Sequence, residues 1–226
     1  MTPKSQIKNI NKIPIGILFL YICISIYHSM LSKAERTKQF IIEKTAPVFN
    51  KKGYAGTSMN DLINVTGLTK GSIYGNFQNK DEVAIAAFEY NFQLIALHIK
   101  NKMEAKTSII DKLLVYPETY KNFLKLPFLQ AGCPIANTST EADDTHPQLK
   151  EKVTNALNFW RTSVENLLKA GIKNKEIKPE TNLQEVVAVF TALIQGAGIH
   201  AKVSGKVNYL NLSMNFLENM IKELKN

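Results

Sequence analysis

The sequence is poor in the residues that build disulfide-, metal- or turn-based scaffolds. Only two of its 226 residues are cysteine, Cys23 and Cys133, and neither stands in a CxxC or Cys/His cluster. A disulfide framework, a zinc finger and an iron–sulfur ribbon are thereby excluded. Eleven glycines and eight prolines are too few for the many tight turns of a β-sandwich or barrel. Arginine is nearly missing: Arg36 and Arg161 are the only two, so the positive charge rests on lysine. The four histidines, His28, His98, His146 and His200, show no HxxxH or His/carboxylate spacing, and no metal site is assigned. No P-loop, no GxGxxG and no Ser or Cys nucleophile beside a recognisable base occurs, so the chain is read as a non-enzyme with no catalytic residue and no cofactor. What is present is a hydrophobic fraction of 45%, enough for a core, and 21% charged residues, which argues against wholesale disorder. The net charge of +9 points toward nucleic acid or another anionic partner.

The first 31 residues differ from the rest. Residues 13–31 (IPIGILFLYICISIYHSML) hold no Asp, Glu, Lys or Arg, and as a helix would span about 28 Å, close to a bilayer core. Lysines 4, 8 and 12 precede the run and Lys33, Arg36 and Lys38 follow it, so charge sets no orientation. No small-residue cleavage site follows, which disfavours a signal peptide. Three readings stand: a mis-assigned start, with Met30 as the working initiator; a membrane anchor; or a helix packed on its own domain. The first is preferred, because everything characteristic of the soluble part begins at Ser32. Under it the protein is cytoplasmic; membrane attachment follows only if 13–31 is retained as an anchor.

From Ser32 onward the pattern is helical. Apolar residues in Lys33–Lys52 fall largely on one face, with Ser32 and Glu35 in capping-box spacing. Pro47 is expected to kink this helix or remove one backbone bond inside it, and Gly53 to end it. Ser58 and Asp61 mark a second, short helix that Gly67 stops, and Thr69 caps a third over 69–77. Two short helices about a glycine turn make a helix-turn-helix. The third helix presents Lys70, Ser72, Tyr74 and Asn76 outward while Ile73 and Phe77 pack inward. Gly71 and Gly75 cost helix propensity, about 1 kcal/mol each, which a helix accepts either for want of an alternative or for a slim face that lets another backbone approach closely. Between Lys33 and Lys80 there are eight basic and three acidic residues, while the chain from Asp81 on is nearly balanced. Lysines and helix N-termini bind phosphates, and small polar side chains read base edges in a major groove.

The run Gly53-Tyr54, Gly56-Thr57-Ser58-Met59, Asp61-Leu62-Ile63, then Gly67 continuously through Val83, resembles the DNA-binding signature of TetR-family (tetracycline-repressor-like) transcriptional regulators. The match spans about fifty residues, and the remainder agrees in length and helical layout. The resemblance implies a recognition helix at 69–77 that enters double-stranded DNA. It further implies phosphate contacts from Thr57, Lys70, Tyr74 and Lys80, with Gly71 and Ser72 near the bases. Ser58, Thr69 and Asn76 complete the expected DNA-binding set; Asn76 stands where the family often has histidine.

Beyond Asn79 the expected elements are a long helix to about Lys106, a helix over 108–125, an irregular stretch over 130–147, a helix over 149–170 stopped by Gly171, a helix begun by Thr181 and broken by Gly205, and a last helix over 207–224. The expected fold is all-α: an apolar N-terminal segment (1–31), a three-helix DNA-binding domain (32–80), and a helical effector-binding and dimerisation domain (81–226). The resemblance implies a ligand pocket, for which the aromatic candidates are Phe92, Tyr116, Tyr120, Phe123, Phe128, Phe159 and Trp160, although an aromatic at helical spacing is more often plain core. It also implies a four-helix dimer interface formed by the last two helices. Phe190, Leu193, Gly196, Leu210, Met214 and Leu217 are assigned to it. Cys133 is read as an inert thiol, with a sensing role as the alternative, and Glu141, Asp143 and Asp144 as solvated loop charge. The function expected is a homodimeric repressor released from a palindromic operator by an unidentified small molecule. The alternatives are a membrane-anchored regulator and a helical small-molecule binder with a vestigial head.

Overall fold

The computed structural model describes residues 32–226 of the chain; the apolar run 13–31 and the readings attached to it lie outside the described residues. Nine α-helices are described: α1 (Lys33–Lys52), α2 (Met59–Thr66), α3 (Lys70–Tyr74), α4 (Lys80–Glu104), α5 (Ile109–Lys121), α6 (Pro134–Ala142), α7 (Pro147–Lys173), α8 (Leu183–Ser204) and α9 (Asn208–Glu223). Two 3-10 turns, Phe123–Lys125 and Pro127–Leu129, join α5 to α6. Apart from one isolated bridge between Ile177 and Lys225, no strand pairing occurs among the described residues.

The helix starts follow from local chemistry. Ser32 accepts from the Glu35 amide at 3.2 Å while Glu35 accepts from the Ser32 amide at 2.7 Å. Ser58 and Asp61 repeat this box at α2. Thr69 and Asn79 cap α3 and α4 through the amides of Ser72 and Glu82. Gly67, at φ +67°, ends α2 in the left-handed region, which a side chain would strain. α1 runs unbroken through Pro47.

Two apolar clusters sit at either end of α4. In the head, Ile41, Ala46, Phe49, Leu62, Ile73 and Phe77 pack on Val83, Ala84 and Ala87 from the first turns of α4. In the body, Phe88, Ile95 and Ile99 from the rest of α4 join α5 to α9. α4 is therefore one rigid member shared by both cores. At 25 residues it is about 37 Å long. Asn91, buried midway along it, donates to the Ala46 carbonyl at 2.8 Å and fixes α4 on α1.

Four sequence expectations need correction. The stretch 130–147 is not irregular throughout, because α6 lies inside it. The helix expected over 108–125 ends at Lys121 and gives way to the 3-10 turns. Gly171 does not stop α7, which continues to Lys173; its missing side chain makes room for the fully buried Ile177. Asn182, not Thr181, caps α8.

Candidate nucleic-acid interface

α2, α3 and the turn between them form a helix-turn-helix whose inner face is closed by Leu62, Ile73 and Phe77. α3 is shorter than its expected span, but the Gly75 and Phe77 amides still donate to the Gly71 and Ile73 carbonyls, so the helical path reaches Phe77. Thr69, Lys70 and Gly71 are exposed, and Ser72, Tyr74 and Asn76 half-buried. A side chain on Gly71 would meet nothing nearer than Thr69 Oγ1 at 4.0 Å. Nothing inside the fold requires glycine there, and the bare backbone is turned outward.

The charges around α3 differ in availability. Lys52 pairs with Asp61 at 2.6 Å, and this hydrogen bond, ahead of those from Ser58, holds the Asp61 carboxyl down at about 2. Lys38 pairs with Glu82 at 3.2 Å and sits 4.9 Å above the Phe77 ring. Lys80 lies 4.3 Å over the Tyr54 ring. The Tyr54 hydroxyl donates to Asp81, which pushes its own pKa up to about 12. Lys70 has no carboxylate partner among the described residues and stands 5.8 Å over Tyr74. It is the lysine of α3 that remains open to a phosphate.

Three expected contacts are used internally. Thr57 is fully buried, its hydroxyl donating to the Gly53 carbonyl at 2.6 Å, which tightens the loop before α2; this buried position corrects its assignment to a phosphate. Ser58 donates to Asp61 Oδ2 at 2.8 Å and accepts from the Asp61 amide. The Asn76 side-chain amide donates to the Ser72 carbonyl at 2.9 Å and caps its own helix, which uses one of its two N–H groups.

The head is held to the body by α6, a contact the sequence did not signal. Glu141 accepts from the Tyr54 and Ala55 amides at 2.6 and 2.7 Å, so it is not solvated loop charge. Asn137 donates to the Asn50 carbonyl at 3.0 Å and to its side-chain oxygen at 2.8 Å, while Asn50 donates to the Gly132 carbonyl. Lys202 of α8 reaches the Asn137 side-chain oxygen at 2.7 Å. Gly53, at φ +74°, has no room for a side chain because Glu141 fills that space.

In the body, a cavity of about 730 Å³ opens between α4, α5 and α7, a volume suited to a drug-sized ligand. Phe92, Tyr116, Tyr120, Phe159 and Trp160 line it, with Ile135 of α6. Phe123 and Phe128 do not; Phe123 is plain core and Phe128 lies beside His98. Cys133 is buried with its thiol 3.6 Å from the Tyr120 hydroxyl, and burial pushes its pKa up, away from a reactive thiolate.

The assigned dimer residues divide. Phe190, Leu210, Met214 and Leu217 are fully buried within the subunit, because α8 and α9 turn those positions onto its own core; they cannot form an intersubunit surface. Leu193 and Gly196 stay partly exposed. The face left outside carries Val189, Ile199 and Val203 on α8, and Tyr209, Leu212 and Phe216 on α9. Side chains built on Gly196 or Gly198 would meet nothing within 4 Å. By length and mean hydropathy α8 is apolar enough to cross a membrane, but its Val187, Phe190, Ile194 and Ala197 pack into the body core.

Comparison with known proteins agrees with this architecture. Residues 41–87 match the family model described as bacterial regulatory proteins, tetR family, and residues 110–217 match the tetracyclin repressor-like, C-terminal domain. The crystal structure of a TetR-family transcriptional regulator from Cytophaga hutchinsonii superimposes with a TM-score of 0.82 at 42% identity, over 86% of this chain and 98% of that one. A TetR transcriptional regulator from Chloroflexus aurantiacus gives 0.81 at 30% identity with the same coverage. An uncharacterized HTH-type transcriptional regulator from Lactococcus lactis is 25% identical over 188 residues, 80% of this chain and 91% of that protein. The matched regions take in the helix-turn-helix and most of the helical body, and the relatives are regulators rather than enzymes. The chain belongs to the TetR family of transcriptional regulators.

Proposed function

We propose that the protein is a homodimeric, ligand-responsive repressor. The observation that carries this reading is the sharing of α4: its first turns complete the core behind α3, and Phe92, Ile95, Ile99 and Met103 further along line the cavity. A ligand that moves the cavity wall therefore moves the support of the recognition helix. Each subunit lays α3 in a major groove, with half-sites one helical turn, about 34 Å, apart. The apolar stripe of α8 and α9 pairs with its copy about a two-fold axis, which matches a palindromic operator. Lys70 and the hydroxyls of Thr69 and Tyr74 take phosphates, while Gly71 and Ser72 face the bases.

Ligand binding acts as a population shift between two separations of the heads, limited by the ligand's difference in affinity for the two. Ile135 touches the cavity while Asn137 and Glu141, on the same helix, hold the head. A second path thus runs from the cavity to α1 and the loop before α2.

The test is a reporter driven by the promoter flanking the protein's own gene. Wild-type protein is expected to lower transcription, and a Lys70→Ala/Tyr74→Ala variant at equal abundance to restore it. Undiminished repression by the variant would mean that the repression does not pass through α3 and would favour the reading in which the head is vestigial.

A further inference from the structure

Three donors on the cavity wall, at Lys112, Tyr116 and Trp160, carry its polar character, with the exposed Gln93 amide, both donor and acceptor, at the rim. Lys112 and Tyr116 stand four residues apart on α5, so they share one face of that helix, and both line the cavity. Lys112 is half-buried and has no carboxylate partner among the described residues. Tyr116 is buried against Trp160 and Phe190, and burial pushes its phenol far up, which keeps it a donor at neutral pH. The Trp160 indole N–H is buried with no acceptor among the described residues. By contrast the Tyr120 hydroxyl faces Cys133, and the Ser163 hydroxyl donates to the Phe159 carbonyl.

The one carboxylate of the lining, Glu104, already faces Lys100 at 4.0 Å, with both side chains well exposed. The rest of the wall is mainly apolar and aromatic. A lipophilic cation would add positive charge beside Lys112 and leave the donors without acceptors, and a neutral lipophile would offer the ammonium no counter-charge.

We propose that the effector is a lipophilic monocarboxylate, its carboxylate received by the Lys112 ammonium and the Tyr116 hydroxyl, its apolar body held among Phe92, Tyr120, Ile135 and Trp160. This rests on the reading of the cavity as the effector site and goes beyond it by fixing the chemistry of the occupant.

Trp160 is the only tryptophan in the chain and lines the cavity, so intrinsic fluorescence reports occupancy. Decanoate, decanol and decylammonium, equal in chain length and opposite or neutral in charge, are titrated into the full-length protein. The expected result is saturable binding of decanoate about ten-fold or more tighter than either analogue, a difference of about 1.4 kcal/mol. Lys112→Met, which keeps the apolar stem, is expected to bring decanoate to the level of decanol without weakening decanol itself, with Tyr116→Phe giving a smaller loss. Equal or tighter binding of decanol or decylammonium, or an unchanged preference in Lys112→Met, would overturn the carboxylate assignment while leaving the cavity as a binding site. No fluorescence response to any of the three would overturn both.

Discussion

At the residue scale, Gly71 separates folding from function most cleanly. It lies in a helix, is exposed, and has open space where a side chain would stand. Gly71→Ala is therefore expected to stabilise the fold by up to about 1 kcal/mol in urea denaturation. The same change is expected to weaken operator binding about ten-fold or more, because in the proposed complex the added methyl would stand against the DNA. A variant that is more stable and binds equally well would place the DNA surface elsewhere. Asp61 gives the pH counterpart. Its folded pKa of about 2 lies below the unfolded value near 4, so its contribution is complete above pH 4 and is lost as pH falls toward 2. Asp61→Asn is expected to melt at a lower temperature than wild type at pH 6, with the gap closing as pH approaches 2. A gap that persists at the acid end would show that the Lys52 pair and the capping box are not its source.

The same scale shows why some site residues could be read from sequence and others could not. The caps Ser32, Ser58, Thr69 and Asn79 each act on the amide three positions on, so spacing alone reveals them. Thr57 is different: its burial depends on the path of Gly53 and on the Glu141 carboxylate, 84 residues further along. No local pattern carries that information.

At the scale of elements, α6 shows how tertiary contacts override propensity. Its run Asn137-Thr138-Ser139-Thr140 is weakly helix-forming, and a reading by turn formers takes it for a loop. The helix stands because Pro134 begins it, Ile135 and Ala136 are buried, and Asn137 and Glu141 bond across to the head. Glu141→Gln keeps one acceptor and removes the charge that faces two backbone amides. A loss of about 1–3 kcal/mol is expected in chemical denaturation, with a smaller effect of any cavity ligand on operator affinity. An unchanged ligand response would assign transmission to α4 alone.

At the scale of the whole molecule, the helical layout and the position of the reading head follow from periodicity, caps and charge, whereas the orientation of α8 and α9 does not. Both helices are apolar on more than one side, so sequence marks them as doubly engaged without saying which stripe meets the subunit and which its copy. Packing turns Phe190, Leu210, Met214 and Leu217 inward, and Leu212 and Phe216 remain outside, where the proposed copy would meet them. Phe216→Glu is expected to halve the mass seen by light scattering and to abolish operator binding while the monomer keeps its helical signal. An unaltered dimer would move the interface off this stripe.

The central claim is that α3 anchors the dimer on specific DNA through Lys70. Fluorescence anisotropy of the full-length protein on DNA flanking its own gene, run across a salt series, tests it most directly. The account predicts tight, competitor-resistant binding that weakens steeply with salt, and in Lys70→Ala a uniformly weaker binding with a log–log salt slope reduced by about one. Weak binding, equal on unrelated DNA and unchanged in Lys70→Ala, would contradict it.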